Sequence, residues 1–176
     1  RRLPGTLLWR DARFRTLAAG MALGLFAQIG LLAHLFSLLT PRLGEQTAGI
    51  AIGLATAAAV AGRTLMGVLM PIRADRRLLG CASYGVQIAG SLTLLGAAGQ
   101  NPILLIFGVV LFGAGIGNAT SLPPLIAQHE FAKEDLGRAV ALIVATSQAA
   151  YAFAPVAFGL LREAVPPLQG PPTPRG

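Results

Sequence analysis

Charge is what this sequence has least of. Asp, Glu, Lys and Arg make up 12% of its 176 residues, against about 25% in soluble globular domains. So few charges cannot cover a water-soluble ball of this size, whereas a bilayer solvates apolar side chains directly. Cysteine is nearly absent: Cys81 stands alone, which excludes an internal disulfide, and with two histidines it leaves no metal-ligand motif. No Ser-His-Asp, Cys-His or paired-carboxylate arrangement appears, so neither enzymatic activity nor a cofactor is expected. The acidic residues Asp11, Glu45, Asp75, Glu130, Glu134, Asp135 and Glu163 all fall between or at the ends of apolar runs. That argues against a carboxylate proton relay inside the membrane. The chain opens at Arg1 with no initiator Met and no signal-peptide pattern, which reads as a fragment.

What is present in quantity is apolar surface: 54% hydrophobic residues and a mean hydropathy of +0.66. Five stretches meet the requirement of about 20 mostly apolar residues for a membrane-spanning helix: roughly 17–39, 48–70, 78–98, 102–126 and 139–161. Thr40-Pro41 closes the first and Pro71 the second. Asn101 and Pro102 form an N-cap and first-turn proline for the fourth, which Pro123-Pro124 must kink or end. The expected fold is therefore an all-α polytopic membrane bundle of about five transmembrane helices. Residues 1–16 form a basic segment, 17–161 the transmembrane domain, and 162–176 a proline-rich tail.

The net charge of +7 would point to nucleic acid in a soluble chain. Here the basic residues sit in short connections and carry topology instead, so no nucleic-acid partner is expected. Arg1, Arg2, Arg10, Arg13, Arg15, Arg73, Arg76, Arg77, Lys133 and Arg138 fall on one side, against Arg42, Arg162 and Arg175 on the other. The positive-inside rule then places the N-terminus in the cytoplasm and the C-terminus outside, as five crossings of an inner membrane require.

Within the runs, Gly20/Gly24, Gly49/Gly53 and Gly113/Gly117 are small-xxx-small pairs, whose simplest use is close helix packing. Arg63 lies about 6 Å from the middle of the second run, taking about 1.5 Å per residue. A guanidinium at that depth either attracts an anion or gates a cavity, or it is structural, snorkelling to the interface or binding helix-end carbonyls. Gln28, His34, Asn118, Thr120, Ser147 and Gln148 are the other candidates for a solute cavity. Ser121, Thr146 and Tyr151 extend the polar bands. His34 has the side chain suited to carrying a proton, although a lone histidine near a helix end is more often interfacial.

The stretch Gly62-Arg63-Thr-Leu-Met-Gly67-Val-Leu-Met-Pro71-Ile-Arg73-Ala-Asp75-Arg76-Arg77 resembles the basic loop motif of the major facilitator superfamily, which follows the second and eighth helices of its members. Gly67, Arg76 and Arg77 match the motif. Pro71 and Ile72 depart from it, and the loop is one residue longer. The run ending Tyr151-Ala-Phe-Ala-Pro155-Val-Ala-Phe-Gly159 is similar to the family's bent eleventh helix, and 115–128 to its tenth. The resemblance implies helices seven to eleven of a transporter's C-terminal half, with Gly67, Asp75, Arg76 and Arg77 at a cytoplasmic gate. It implies a secondary carrier that moves a small solute by alternating access. Its partners would be the bilayer, the solute with a coupling ion or proton, and a missing N-terminal half. Arg63 favours an organic anion. A non-transporting membrane scaffold of five helices is the alternative, and an in-frame upstream half with six more spans would decide between them.

Overall fold

The computed structural model describes residues 8–69, 75–97, 101–119 and 121–164. Among these the architecture is entirely helical: α1 (Ala12–Leu69), α2 (Arg76–Gly96), α3 (Pro102–Ile116), α4 (Leu122–Glu130) and α5 (Lys133–Ala164). Parts of the expected basic segment and tail (residues 1–7 and 165–176), together with Thr120 and loop residues Pro71, Ile72 and Arg73, lie outside the described residues.

The helix α1 is two membrane passes joined at Gly44, whose φ of 75° and ψ of 164° break the helix. That backbone conformation is nearly exclusive to glycine. The first arm (12–43) and second arm (45–69) pack Leu35 and Leu39 into one buried cluster with Ala48, Ala51 and Ala55. Pro41, expected to close the first run, lies inside the helix. It sits in the arm's last turn, where a missing donor and a blocked carbonyl disturb little of the helix beyond it.

Asp75 caps α2, its side chain accepting from the Arg77 amide at 2.9 Å. Asn101 caps α3, accepting from the Ile103 and Leu104 amides at 3.0 and 3.2 Å, with Pro102 in the first turn. The fourth pass is discontinuous: α3 ends at Ile116 and α4 begins at Leu122. The interruption lies ahead of the proline pair, not at it. A proline blocks the carbonyl four residues back and disfavours helical geometry in the residue before it. Pro155 is accommodated within α5.

Side-chain contacts fix the relative directions. Along the first arm and α2, Gly20 and Gln28 meet Tyr84 and Gln87 in the same order. Along the first arm and α5, Leu17, Met21 and Leu25 share a core with Ala139 and Ile143, while His34 and Ser37 meet Pro155 and Arg162. These three helices run parallel. The second arm and α3 run together, Ala55 against Gly113 and Ala59 against Gly117. One end of the bundle thus collects Arg13, Arg76, Arg77 and α4, and the other the turn at Gly44 and Asn101.

Ala12–Val68, Arg76–Gly96 and Lys133–Ala164 are each long and apolar enough to cross a membrane; Pro102–Ile116 is a shorter apolar helix. Because α1 crosses twice and α3 with α4 makes one interrupted crossing, the passes number five. Their outer faces are strongly apolar: Ile103 is 79%, Val68 77% and Leu95 74% exposed. Lipid, not water, is the solvent such surfaces fit.

Candidate functional site

The interruption between α3 and α4 begins about 22 Å along from Pro102, at about 1.5 Å per residue, within the depth of a ~30 Å hydrocarbon core. Every backbone group freed there needs a partner inside the protein. The Ala119 amide, which an unbroken helix would aim at the Gly115 carbonyl, binds Ile116 O at 3.0 Å instead. Gly115 O accepts from Gln87 Nε2 at 2.9 Å. The Ser121 amide binds Asn118 O at 3.2 Å and leaves Gly117 O, which accepts from Arg63 Nε at 2.6 Å. Asn118 Nδ2 reaches back toward Gly62 O at 3.5 Å. Side chains of α2 and the second arm therefore replace the donors that the break removes.

Close approach of the second arm makes this possible. A Cβ on Gly113 or Gly117 would run into the backbone of Ala55 or Ala59, and one on Gly62 into Ala114 O. Arg63 is an exposed residue of the second arm, and its guanidinium reaches the broken helix through the bond from Nε to Gly117 O.

Gln28 is buried midway along the first arm and donates to Gln87 Oε1 at 2.7 Å. With the Gln87–Gly115 bond this ties the first arm, α2 and α3 together at one level. His34 Nε2 lies 3.4 Å from Pro155 O, and Arg162 Nη1 donates to Ser37 Oγ at 3.0 Å. Ser147 is fully buried and donates to its own helix at Val144 O, 2.8 Å away. Gln148 is exposed on α5, and Thr120 lies outside the described residues. Gly24 faces the Tyr84 ring, whereas Gly20, Gly67 and Gly159 have open space beside them. Thus Arg63, Asn118 and Gly117 come together, Gln28 joins them through Gln87, and His34, Ser147 and Gln148 lie along the first arm and α5.

At the arginine-rich end, Arg77 grips Glu130 through Nε and, at 2.7 Å, through Nη2. Arg76 Nη1 donates to Leu125 O at 2.7 Å. Arg77 also approaches Thr16 Oγ1 and Arg13 O at 3.4 Å. The two arginines therefore latch α4 to the start of α2 and the foot of the first arm. The hydrogen bond from Arg77 holds the Glu130 carboxyl below the usual carboxylate range. Glu130, which holds the latch, Gln87, which holds the break, and Asp135, buried in the first turn of α5, were not singled out in the sequence. Gln87 left one legible signal, an amide in the middle of an apolar run.

A multi-pass bundle with a span interrupted at membrane depth, and with that interruption held by side chains from two neighbouring helices, has the architecture of a membrane transporter. The sequence model described as the Major Facilitator Superfamily matches residues 2–155. The chain belongs to that family, whose members are transporters. Neither the curated proteins nor the solved structures yield a match.

Proposed function

We propose that the chain is the C-terminal half of a secondary carrier, its five passes corresponding to helices seven to eleven. It moves a small solute, an organic anion by preference, by alternating access against an N-terminal half. The observation that carries this reading is the placement of the Arg63 guanidinium at the broken helix, where its Nε donates to Gly117 O. A cation fixed at an interrupted span is suited to meeting a solute's negative charge at membrane depth. The arginine-rich end is read as cytoplasmic by the positive-inside rule. The Arg76/Arg77–α4 latch there then serves as the gate that stays closed while the carrier opens outward. A coupling ion or proton and residence in an inner membrane complete the proposal.

The test is solute uptake by the complete carrier, normalised to the protein in the membrane. Arg63→Gln keeps a hydrogen-bonding side chain of similar reach and removes the charge. Uptake of anionic solutes should fall at least tenfold, about 1.4 kcal/mol, with expression near normal. Uptake retained in Arg63→Gln would exclude the cavity role, and loss of expression together with uptake would make Arg63 a fold-holding residue.

A further inference from the structure

The interruption between α3 and α4 is longer than its prolines require. Pro123 and Pro124 have no amide to give, which deprives only the carbonyls four residues back, at 119 and 120. Gly115 O and Gly117 O lie ahead of these, and their helical donors would be the Ala119 and Ser121 amides. Those amides turn instead to Ile116 O and Asn118 O, one residue short of the α-helical partner. In both places a side chain from another helix holds the carbonyl: Gln87 at Gly115 O and Arg63 at Gly117 O. The two holders differ. Gln87 is buried and its own side-chain oxygen is tied to Gln28, whereas Arg63 is an exposed residue of the second arm. The turn that Arg63 holds is also close to re-forming. Gly117 (φ −51°, ψ −28°) and Ser121 (φ −88°, ψ −38°) keep right-handed helical angles. Asn118 O accepts from both the Ser121 and the Leu122 amides, at 3.2 and 3.0 Å, so the Ser121 amide can leave it while Leu122 keeps it satisfied.

We infer that Arg63 switches between the Gly117 carbonyl and the solute, and that its transfer to the solute loosens the latch on α4. The inference rests on the reading of Arg63 as the anion-binding residue. A carboxylate or phosphate that grips a guanidinium side-on takes Nε together with one Nη, and Nε is the atom now spent on Gly117 O. Once released, that carbonyl recovers the Ser121 amide in an α-helical bond. Each residue that passes from 3₁₀ to α spacing turns the helix beyond it by about 20° and shortens it by about 0.5 Å. The helix beyond is α4, which carries Leu125 O and Glu130, the groups that Arg76 and Arg77 hold. Hydrogen bonds weaken steeply as distance and angle depart from their optimum, so the movement slackens both grips. Solute arriving at membrane depth thereby releases the end that the latch keeps shut.

The measurement is hydrogen exchange of the Ser121 amide in the purified full chain in neutral detergent. Arg63→Met keeps an unbranched side chain, has no donor for Gly117 O, and stands in for an arginine taken by the solute. Exchange should slow about fivefold, the net worth of one hydrogen bond. Coupling between two sites is reciprocal. Glu130→Gln, which weakens the latch and leaves Arg63 in place, should therefore slow exchange at Ser121 too. Exchange unchanged or faster in Arg63→Met would overturn the inference, by showing that the prolines alone set the break. Exchange unchanged or faster in Glu130→Gln would overturn it as well, by showing that the break and the latch move independently, and this variant decides the matter if Arg63→Met does not fold. Neither experiment needs a solute, so uptake by the complete carrier separates the switch from the anion role. Uptake lost in Arg63→Gln with exchange unchanged in Arg63→Met overturns the switch and leaves the anion role standing. Slowed exchange in Arg63→Met with uptake retained in Arg63→Gln overturns the solute as the trigger, and the anion role with it.

Discussion

Single residues in this bundle carry weight because a bilayer offers them no alternative partner. Gly117 is the sharpest case: a Cβ there would collide with the Ala59 backbone, while one on Gly20 meets nothing. Gly117→Ala should destabilise the protein by about 1–3 kcal/mol through overpacking, read as a lower melting temperature in detergent, and Gly20→Ala should leave it unchanged. Gln28→Leu strands Gln87 Oε1 and should cost about 1 kcal/mol, typical of interhelical hydrogen bonds in membranes. Glu130 gives a pH signature. Its carboxyl is held below the usual range by Arg77, so its contribution is complete at neutral pH and disappears as the pH falls through that depressed value. Thermal stability should fall on acidification, and the gap between the parent and Glu130→Gln should close along the way. A gap independent of pH would mean that the pair does not form. Arg63, Gln28 and Asn118 were legible in the sequence because polar groups in apolar runs demand an explanation. Their partners were not: Gln87 lies 59 residues from Gln28 and Glu130 lies 53 from Arg77, and no local spacing encodes such pairs.

Helices were the most legible level, for a physical reason. The bilayer requires long apolar runs, and Asn101-Pro102 marked the start of α3 by capping chemistry that acts within one turn. The ends of runs were less legible where proline acts at a distance. Pro123 and Pro124 disrupt the turn before them, so the interruption falls at 117–121, while Pro41 near the end of an arm breaks nothing. The reversal belongs to Gly44, a glycine like 21 others in composition and distinguished only by its backbone angles. Gly44→Ala has open space beside it, so its cost is conformational alone, about 1–3 kcal/mol. The measured change in melting temperature should match that range. No change would mean that the turn adopts another geometry.

At the scale of the whole molecule, the five parallel and antiparallel passes divide the chain between two ends. One end holds Arg13, Asp75, Arg76, the α4 terminus and Lys133; the other holds the Gly44 turn, Asn101 and Glu163. The directions follow from contacts, and the assignment of the first end to the cytoplasm follows from charge. The carrier reading depends on both, since an interrupted span placed between two aqueous faces is what alternating access acts upon. The direct measurement is membrane-impermeant thiol labelling in intact cells and in inverted vesicles. Single cysteines would be placed at Asp75, Lys133, Gln46, Asn101 and Glu163 in a Cys81→Ser background. The account predicts that Gln46, Asn101 and Glu163 label from outside, and that Asp75 and Lys133 label only from the cytoplasmic face. Labelling of Gln46 and Lys133 from the same side would contradict the five-pass bundle, and with it the carrier.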